Sequence, residues 1–561
     1  EALAFAAWLT PVLGAFYVLH WLSLENMVDA LVANALRTLV LLGAGLALLP
    51  RKDAAFGDVA RWRGHALLIA GIAFSAFWGG FALNPWWGGA DAAPIAGPIL
   101  FNAQAIAFLA PASLALYAAG RVYARALEPA RLYAAAGAGF GLMWAALEIR
   151  RTFRGDQMAQ PAIGVFEASM YALLFIGAAL IIALAARVRA SKDPERPFTR
   201  DLLTIMRPVT GVALAAALIL MLGFRHPWWG AQDAPLTGDS ATGWAVVSQA
   251  AAIALSLWLA RVLSISRPAE PARFAAAAAA ALFALSLGVA GVRWLYHRGA
   301  MDDGVALHGL EGLAYAVWPL LLVSAAAYFT ARAPGRDAER AYLYDLQAIW
   351  AAAIWPAMGF AALGLWGLFN PWWGVWPVRA SNLGGFLTIL AGFGLAACLS
   401  AVAARIPHVH ARRWLARGGV AMGAAHLSIA AIMLTRRLFH HETMSAAPAL
   451  DSELWTYVAV WVACAIAAFA IGTQRGNMGL RWYGIGLTGL SIAYAFALAF
   501  TRLSGGAQVG AILAIALTPF VAVWAVRAFK PPARLLRESD LRDITPSARR
   551  ERRHGRRYRS P

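Results

Sequence analysis

Long apolar runs dominate the chain, and short polar segments interrupt them at regular intervals. A helix needs about 20 apolar residues to cross the hydrocarbon of a bilayer, and the runs have roughly that length. None alternates between apolar and polar residues as the strands of a membrane β-barrel do. The pattern predicts about sixteen membrane-spanning helices, at positions 4–24, 28–49, 67–87, 99–122, 132–153, 165–187, 209–229, 244–265, 274–297, 313–332, 348–373, 386–405, 418–441, 454–472, 483–502 and 509–529.

The connecting segments alternate in charge. Those after even-numbered helices are rich in arginine, as in residues 51–63, 121–131 and 187–200, whereas those after odd-numbered helices carry acids such as Asp91 and Asp233. Basic residues are retained on the cytoplasmic side of a membrane protein. The alternation therefore predicts that the even-numbered ends and both termini of the chain are cytoplasmic.

The composition excludes several classes of protein. The chain is 61% hydrophobic and 14% charged, whereas a soluble domain is about 45–50% apolar and about 25% charged. A soluble multi-domain enzyme, a disordered chain and a disulfide scaffold are therefore excluded. The net charge of +19 follows from arginine retained on one side of a membrane, so we expect membrane lipids as partners and no nucleic acid. The tail 530–561 is predicted to lie on anionic lipid, with nucleic-acid or partner binding as the alternative.

Several unrelated motifs recur with one period of about 143 residues. Asn84–Gly88 (NPWWG) recurs as His226–Gly230 (HPWWG) and as Asn370–Gly374 (NPWWG). An even number of helices per period restores the orientation, so the sequence predicts an all-α membrane protein of parallel four-helix repeats, with helices a to d. The predicted divisions are a half repeat at 1–50 (helices c and d), full repeats at 51–192, 193–334 and 335–472, a half repeat at 473–529 (helices a and b) and a basic cytoplasmic tail at 530–561. The half repeats either pair to close a ring or end an open array.

Tryptophan follows helix a in each full repeat, at Trp86, Trp228 and Trp372. Proline and glycine in the same motif stop the helix where the bilayer ends. Tryptophan prefers the headgroup level of a membrane, so anchoring accounts for the motif. The functional alternative is an aromatic surface on which a sugar or a lipid headgroup stacks.

A basic residue near the end of helix c and an acid at the start of helix d recur together, and a tyrosine follows the acid four residues later. This spacing puts the acid and the phenol on one face of helix d. The sequence predicts an Arg–Glu–Tyr clamp in each repeat, which either fixes the c–d hairpin or binds an anion or lipid phosphate. The three predicted clamps are Arg150 with Glu167 and Tyr171, Arg293 with Glu311 and Tyr315, and Arg436 with Glu453 and Tyr457.

Few other residues offer chemistry. Arg37 lies in the middle of a predicted span, where an arginine is a functional candidate unless its partner is missing from the chain. The pairs at His408 and His410 and at His440–Glu442 lack the spacing of a metal site, so solvated histidines are favoured and neither metal nor cofactor is expected. Phosphate-binding, dinucleotide-binding and nucleophile-elbow motifs are absent from the sequence. The chain therefore gives no basis for naming an enzymatic activity, and the balance favours a protein that is not an enzyme.

The order of these motifs also suggests a family. NPWWG is followed by Gly97–Asn102 (GPILFN), by Leu147–Arg151 (LEIRR) and, near the end, by Ser452–Trp461 (SELWTYVAVW). This order resembles the bacterial predicted membrane proteins grouped as domain of unknown function 2339. The resemblance implies a location in the bacterial inner membrane, and it implies that residues upstream of Glu1 are missing. It supplies no activity and no catalytic residues.

Three functional hypotheses follow. The first is a non-enzymatic protein that binds or moves an amphiphile, such as a lipid or a lipid-linked glycan, because a cation and an aromatic group recur together at the outer face. The second is an integral-membrane transferase of cell-envelope biosynthesis, for which Asp302 and Asp303 are the candidate carboxylates. The third is a scaffold subunit with a protein partner in the membrane.

Overall fold

Sixteen α-helices make up the fold of the described residues, and no β-strand occurs among them. The structure is a computed structural model, and it describes residues 2–25, 29–49, 57–87, 95, 97–155, 158–159, 163–224, 226, 239–264, 270–297, 309–332, 340–370, 372, 382–403, 412–441, 444 and 448–528. The helices are α1 (Ala2–Leu24), α2 (Ala30–Leu48), α3 (Gly57–Phe77), α4 (Ala110–Val122), α5 (Leu127–Arg154), α6 (Val165–Lys192), α7 (Pro197–Leu218), α8 (Asp239–Leu263), α9 (Glu270–His297), α10 (Gly309–Ala331), α11 (Ala341–Ala362), α12 (Asn382–Ala403), α13 (Arg412–His440), α14 (Asp451–Gln474), α15 (Met478–Arg502) and α16 (Gly505–Ala528). The predicted all-α membrane fold is confirmed.

Thirteen of these helices are long and apolar enough to cross a membrane. The other three, α1, α12 and α16, have shorter apolar stretches within the described residues, of which Thr10–Leu24 is one example. A helix of 20 residues spans about 30 Å, which matches the hydrocarbon thickness. The chain is therefore a multi-pass membrane protein.

Several helices begin earlier than the apolar runs that predict them. Helix α7 begins at Pro197, twelve residues before the predicted start at 209, and it contains Pro208 within its length. Hydropathy detects only the segment that lies in hydrocarbon, while the helix continues through the headgroup region with polar residues. Pro197 is tolerated because backbone N–H groups in the first turn of a helix have no acceptor within the helix, so the missing N–H of proline costs no hydrogen bond.

The chain divides into two compact units. The first comprises Glu1–Val305 and Ala333–Ile349, and the second comprises Ala306–Arg332 and Trp350–Pro561. Within the first unit the most extensive packing joins α2 to α3, α4 to α5, α6 to α7 and α8 to α9, and within the second it joins α12 to α13 and α14 to α15. The connection between the helices of each of these pairs contains an arginine. The pairs α5–α6 and α13–α14, which meet at the other end, pack less extensively.

Helices α2 and α3 approach closely through two glycines. A Cβ atom at Gly45 would lie 2.9 Å from the carbonyl oxygen of Gly64 and 2.8 Å from Cγ of Leu68. A Cβ atom at Gly64 would in turn lie 3.0 Å from the carbonyl oxygen of Gly45. Small residues at a helix interface let two backbones approach each other in a membrane, where apolar side chains gain nothing by leaving lipid.

A π-helical turn follows helix α3, helix α7 and helix α11. These turns are Trp78–Ala82, Ile219–Phe224 and Leu363–Leu368. A π-helical turn inserts one extra residue into a helix and is often found at functional sites. Each turn is followed, one residue later, by a motif that contains Pro-Trp-Trp-Gly, so the same local structure precedes the motif at all three places. The boundaries of the predicted repeats stay predictions, as does closure of the repeats into a ring. The tail 530–561 lies outside the described residues.

Candidate functional site

The site begins with an asparagine that turns the chain after the π-helical turn. Asn84 is fully buried; its side-chain amide donates to the carbonyl of Gly80 at 3.1 Å, and its Oδ1 accepts from the Trp86 amide at 2.9 Å. An asparagine that bonds the backbone two residues ahead forms a compact turn at the end of a helix. The turn fixes the backbone of Trp86 against α5 and α6.

Trp86 contacts both a guanidinium group and a phenol ring. The Arg150 guanidinium carbon lies 5.4 Å from the centre of the Trp86 ring, and the Tyr171 ring stacks on Trp86 with centroids 5.4 Å apart. A cation within about 6 Å of an indole face is attracted to the ring electrons. The tryptophan motif and the Arg–Glu–Tyr clamp, which the sequence presents as separate features, therefore form one site.

The first of the three predicted clamps is a buried and extensively bonded ion pair. Arg150 is 0% exposed and Glu167 is 1% exposed, and their Nη1 and Oε1 atoms lie 2.7 Å apart. Arg150 Nε also donates to the carbonyl of Met158 at 2.7 Å, and the Tyr171 hydroxyl donates to Glu167 Oε1 at 2.9 Å. Arg154 Nε lies 3.2 Å from the other oxygen of Glu167. A buried charge is stable only when it is paired and hydrogen-bonded, and this pair meets both conditions.

The same arrangement recurs in the second compact unit. Arg436 Nη1 lies 2.9 Å from Glu453 Oε1, Arg436 Nε donates to the Met444 carbonyl at 2.8 Å, and the Tyr457 hydroxyl donates to Glu453. The Arg436 guanidinium carbon lies 4.7 Å from the centre of the Trp372 ring, and the Tyr457 ring centroid lies 5.3 Å from that of Trp372. The site thus occurs at least twice in the chain with the same kinds of partners.

The middle set of predicted residues is divided between the two compact units. In the first unit, Arg293 is 2% exposed and its Nη1 contacts Nε2 of His297 at 2.8 Å. In the second unit, Glu311 is fully buried and accepts a hydrogen bond from the Tyr315 hydroxyl at 2.8 Å. Trp228 lies outside the described residues. The contacts between tyrosine and glutamate therefore recur in all three predicted clamps.

The sequence interpretation missed two kinds of participant. One is the basic side chain four residues after the clamp arginine: Arg154 and His440 each contact the second oxygen of the clamp glutamate, His440 at 2.6 Å from Glu453. The other is the methionine whose carbonyl accepts from the arginine. Methionine stands eight residues after each of the three predicted clamp arginines, at Met158, Met301 and Met444, so this recurrence in the sequence is a signal that could have found it.

A second carboxylate on α5, two residues before Arg150, holds the connection before α4. Glu148 accepts from the Asn102 side chain at 2.6 Å and from the Leu100 amide at 3.1 Å. Arg151 donates to the carbonyl oxygens of Ile95 and Gly97 at 2.9 Å and 2.5 Å. The LEIRR segment of α5 therefore faces in two directions, since Arg150 pairs with Glu167 while its neighbours shape this connection. The tip of the connection before α4 is apolar, with Phe101 80% exposed.

A further pair of ion pairs lies at the opposite, arginine-rich ends of the helices in the first compact unit. Arg131 makes a two-point contact with Asp201, at 2.7 Å and 2.8 Å, and the Tyr123 hydroxyl donates to the same carboxylate at 2.5 Å. Arg273 contacts Asp345 in the same way, at 2.5 Å and 3.3 Å. Burial and the hydrogen bond to Asp201 raise the pKa of the Tyr123 phenol, so it stays protonated. These acids, in segments that are otherwise basic, also escaped the sequence interpretation.

The remaining candidates are placed as follows. Arg37 Nη1 donates to Asn34 Oδ1 at 2.6 Å, and its Nη2 is buried without a hydrogen-bond partner among the described residues. His440 is bound to Glu453, while His408, His410, Glu442 and the pair Asp302 and Asp303 lie outside the described residues. In the part of the chain that the structure describes, no group of three or more potential metal ligands occurs.

His226 occupies the place of Asn84 and Asn370 in its motif, just beyond the span Pro197–Phe224. It is fully buried, and its Nε2 contacts the Ser286 hydroxyl at 3.0 Å. Burial lowers the pKa of the imidazole to about 4, because the charged form loses its hydration.

We expect His226 to make the stability of the protein depend on pH. The unfolded chain, with a histidine pKa near 6.5, takes up the proton before the folded protein does. The wild type therefore loses stability as the pH falls from about 6.5 towards 4, and keeps it above this window. His226→Asn, which carries the residue of the other two motifs, does not titrate there. Thermal unfolding of both proteins across this window measures the effect, and parallel profiles would contradict it.

The fold and this site define the class: an all-α, multi-pass membrane protein with buried ion pairs beside tryptophan at the ends of its helices. The chain belongs to the DUF2339 family of predicted membrane proteins, whose model matches residues 199–528, more than half of the chain. The family resemblance read from the motifs is thereby confirmed. No curated protein and no solved structure matches the chain.

Proposed function

We propose that the protein is a non-enzymatic protein of the bacterial inner membrane that binds or moves an amphiphile, a lipid or a lipid-linked glycan, at the tryptophan-bearing ends of its helices. The observation that carries the proposal is the fixed position of Trp86 and Trp372. Each ring contacts the guanidinium group of an arginine and the ring of a tyrosine. Indole rings favour the headgroup level, where they meet both acyl chains and polar groups.

The clamp arginines act as supports for the tryptophans in this proposal. Arg150 and Arg436 are almost completely buried and each is paired with a glutamate. A ligand phosphate would have to displace that glutamate and leave a carboxylate buried without its cation, which is costly. The groups offered to a ligand are instead those that remain accessible. They include Trp87, which is 51% exposed, and Arg154, whose side chain is 21% exposed.

The orientation that goes with this proposal follows from the charge of the connections. Arginine-rich segments follow the even-numbered helices, so these ends and both termini of the chain lie in the cytoplasm. The tryptophan-bearing ends then face the outer leaflet. The amphiphile would accordingly be one that reaches the outer leaflet of the inner membrane.

A second candidate function is that of a scaffold subunit of a membrane complex. It is favoured because the buried ion pairs have both of their partners within the chain. The Arg150–Glu167 pair and the Arg436–Glu453 pair are both buried, with their charges satisfied within the chain. Repeated, self-contained pairs suit an architectural role, since each stabilises its own hairpin. A scaffold predicts a stable protein partner on purification and no preference for one amphiphile.

The test of the amphiphile proposal is replacement of the exposed tryptophan. Trp87→Ala in lipid nanodiscs is expected to weaken binding of a polyprenyl phosphate, measured by native mass spectrometry, by about threefold to tenfold, because an aromatic contact of about 0.5–1.5 kcal/mol is lost. Trp86→Ala is expected to give at least the same loss. Trp62→Ala is the matched control, because Trp62 is 75% exposed at the other end of α3.

Equal binding by the wild type and by all three tryptophan variants would reject the amphiphile proposal. If a dioleoylphosphatidylcholine probe binds as well as the polyprenyl phosphate in every case, the protein has no selective site and the scaffold candidate is favoured. Trp87→Ala is the decisive variant, because its side chain is half-exposed and its indole N–H donates to the Phe81 carbonyl, apart from the Arg150 and Tyr171 contacts of Trp86.

A further inference from the structure

A cavity lies at the arginine-rich ends of α2, α3 and α4, within the first compact unit. It has a volume of about 220 Å³, and three arginines line it: Arg61, Arg121 and Arg125. Leu46 and Leu49 of α2 form an apolar wall. Drug-sized ligands occupy about 300–1,000 Å³, so this cavity suits a smaller group.

The charge of the cavity selects the ligand. None of the described residues that line it is acidic, and three of them are arginines. A cluster of positive charge attracts an anion. Guanidinium groups match phosphate geometry through paired hydrogen bonds, which an ammonium group cannot provide.

The floor of the cavity is ordered by buried polar groups. His65 lines the cavity, is 7% exposed, and its Nδ1 lies 2.7 Å from the hydroxyl of Tyr133, which is fully buried. Arg121 Nε donates to the Tyr117 hydroxyl at 2.9 Å, and its guanidinium lies 5.3 Å from the centre of that ring. These contacts orient an imidazole and a guanidinium before any ligand arrives, which lowers the entropy lost on binding.

The cavity is separate from the tryptophan site. Tyr133 lies near the start of α5 and Arg150 near its end, so about 17 residues, roughly 25 Å of helix, separate the two regions. The histidine of the cavity is also not repeated. If the Asn84 motif is aligned with His226 and Asn370, the place of His65 is taken by Arg207 and Ala351.

We propose that this cavity binds the phosphate group of an anionic ligand, with the arginines as its ligands and His65 as a further polar contact. A phosphate is offered there by an anionic phospholipid headgroup, with its acyl chains along Leu46 and Leu49, or by a soluble phosphate. The inference does not depend on the amphiphile proposed for the tryptophan-bearing ends.

The experiment compares the wild type with Arg121→Gln/Arg125→Gln in phosphatidylcholine nanodiscs. Two probes are used separately: dioleoylphosphatidylglycerol, followed by native mass spectrometry, and inorganic phosphate, followed by the thermal unfolding midpoint. The double variant is expected to bind about tenfold more weakly to whichever probe the wild type binds, because two charge-assisted contacts are lost. Arg187→Gln, which removes an exposed arginine at the same end of α6, is the matched control and is expected to bind within about twofold of the wild type.

The two probes distinguish the sources of the phosphate. Arginine-dependent binding of the lipid alone assigns the cavity to a headgroup, and arginine-dependent binding of both probes assigns it to the phosphate group itself. Arginine-dependent binding of inorganic phosphate alone assigns it to a soluble ligand. Equal binding by the wild type and the double variant, or selectivity for neither probe over phosphatidylcholine, would overturn the proposal.

Two further variants keep the result interpretable. Arg125→Gln changes a single exposed side chain, so the fold is preserved, and it is expected to weaken binding by about threefold. Trp87→Ala is expected to leave phosphatidylglycerol binding at this cavity unchanged, so failure of the tryptophan proposal and failure of this one give different results. Loss of binding in Trp87→Ala but not in Arg125→Gln would overturn the assignment to the cavity.

Discussion

Glu167→Gln is expected to lower the free energy of unfolding by about 3–5 kcal/mol. The substitution keeps the shape of the side chain but removes the negative charge that Arg150, Arg154 and the Tyr171 hydroxyl all contact. Arg150 is 0% exposed, so its charge would stay buried without a counterion. Removing one partner of a buried ion pair costs about this much. The measurement is the unfolding of the purified protein in detergent or bicelles.

Glu128→Gln is the matched control for this effect. Glu128 pairs with Arg131 on the surface of the same helix hairpin, and its side chain is 81% exposed. Exposed pairs contribute about 0–1 kcal/mol, so the control is expected to change stability very little. If both variants lose the same amount, burial of the Arg150–Glu167 pair does not determine the loss. A double variant, Arg150→Met with Glu167→Leu, is expected to recover part of the stability, because no buried charge remains.

Gly45→Ala is expected to destabilise the protein by about 1–3 kcal/mol. The added Cβ would lie 2.9 Å from the Gly64 carbonyl oxygen, which belongs to backbone that cannot move without separating α2 from α3. Overfilling a packed interface costs about this amount. The expected result is a lower thermal unfolding midpoint.

Gly43→Ala provides the comparison on the same helix. A Cβ atom at Gly43 would meet nothing within 4 Å. Alanine is favoured over glycine in a helix by about 0.8–1.0 kcal/mol, so this variant is expected to be neutral or more stable. The two substitutions are chemically identical and two residues apart. Equal effects at Gly43 and Gly45 would show that the approach of α2 to α3 does not control stability.

The sequence predicts the number of helices because each one must supply its own hydrocarbon-spanning segment. All sixteen predicted runs correspond to helices α1 to α16. The boundaries are less predictable, as α7 illustrates, because a helix continues through the headgroup region with polar residues that hydropathy does not count. The family could be predicted from short motifs such as NPWWG, and the family model confirms it over residues 199–528.

Only part of the candidate site can be predicted from the sequence. The pairing of Arg150 with Glu167 follows from their places near the facing ends of an antiparallel hairpin. The approach of Trp86 to that pair does not follow, because it depends on how α3 packs beside α5 and α6. The carbonyl of Met158 is a backbone group, so its side chain gives no hint of its role as a partner of Arg150. Hydrophobic periodicity indicates which residues are buried, and it does not indicate which residues they contact.

The π-helical turn Trp78–Ala82 has a consequence for the two adjacent tryptophans. Because the turn contains one residue more than an ordinary helical turn, the chain leaves α3 from a side displaced by about 100° around the helix axis. Trp86 thereby meets Arg150, and Trp87 is left half-exposed. A chain shorter by one residue in this turn would shift the motif along the chain by one position and place Trp87 where Trp86 now lies. Loop length before the motif, as much as the identity of the tryptophans, therefore decides which ring a ligand would encounter.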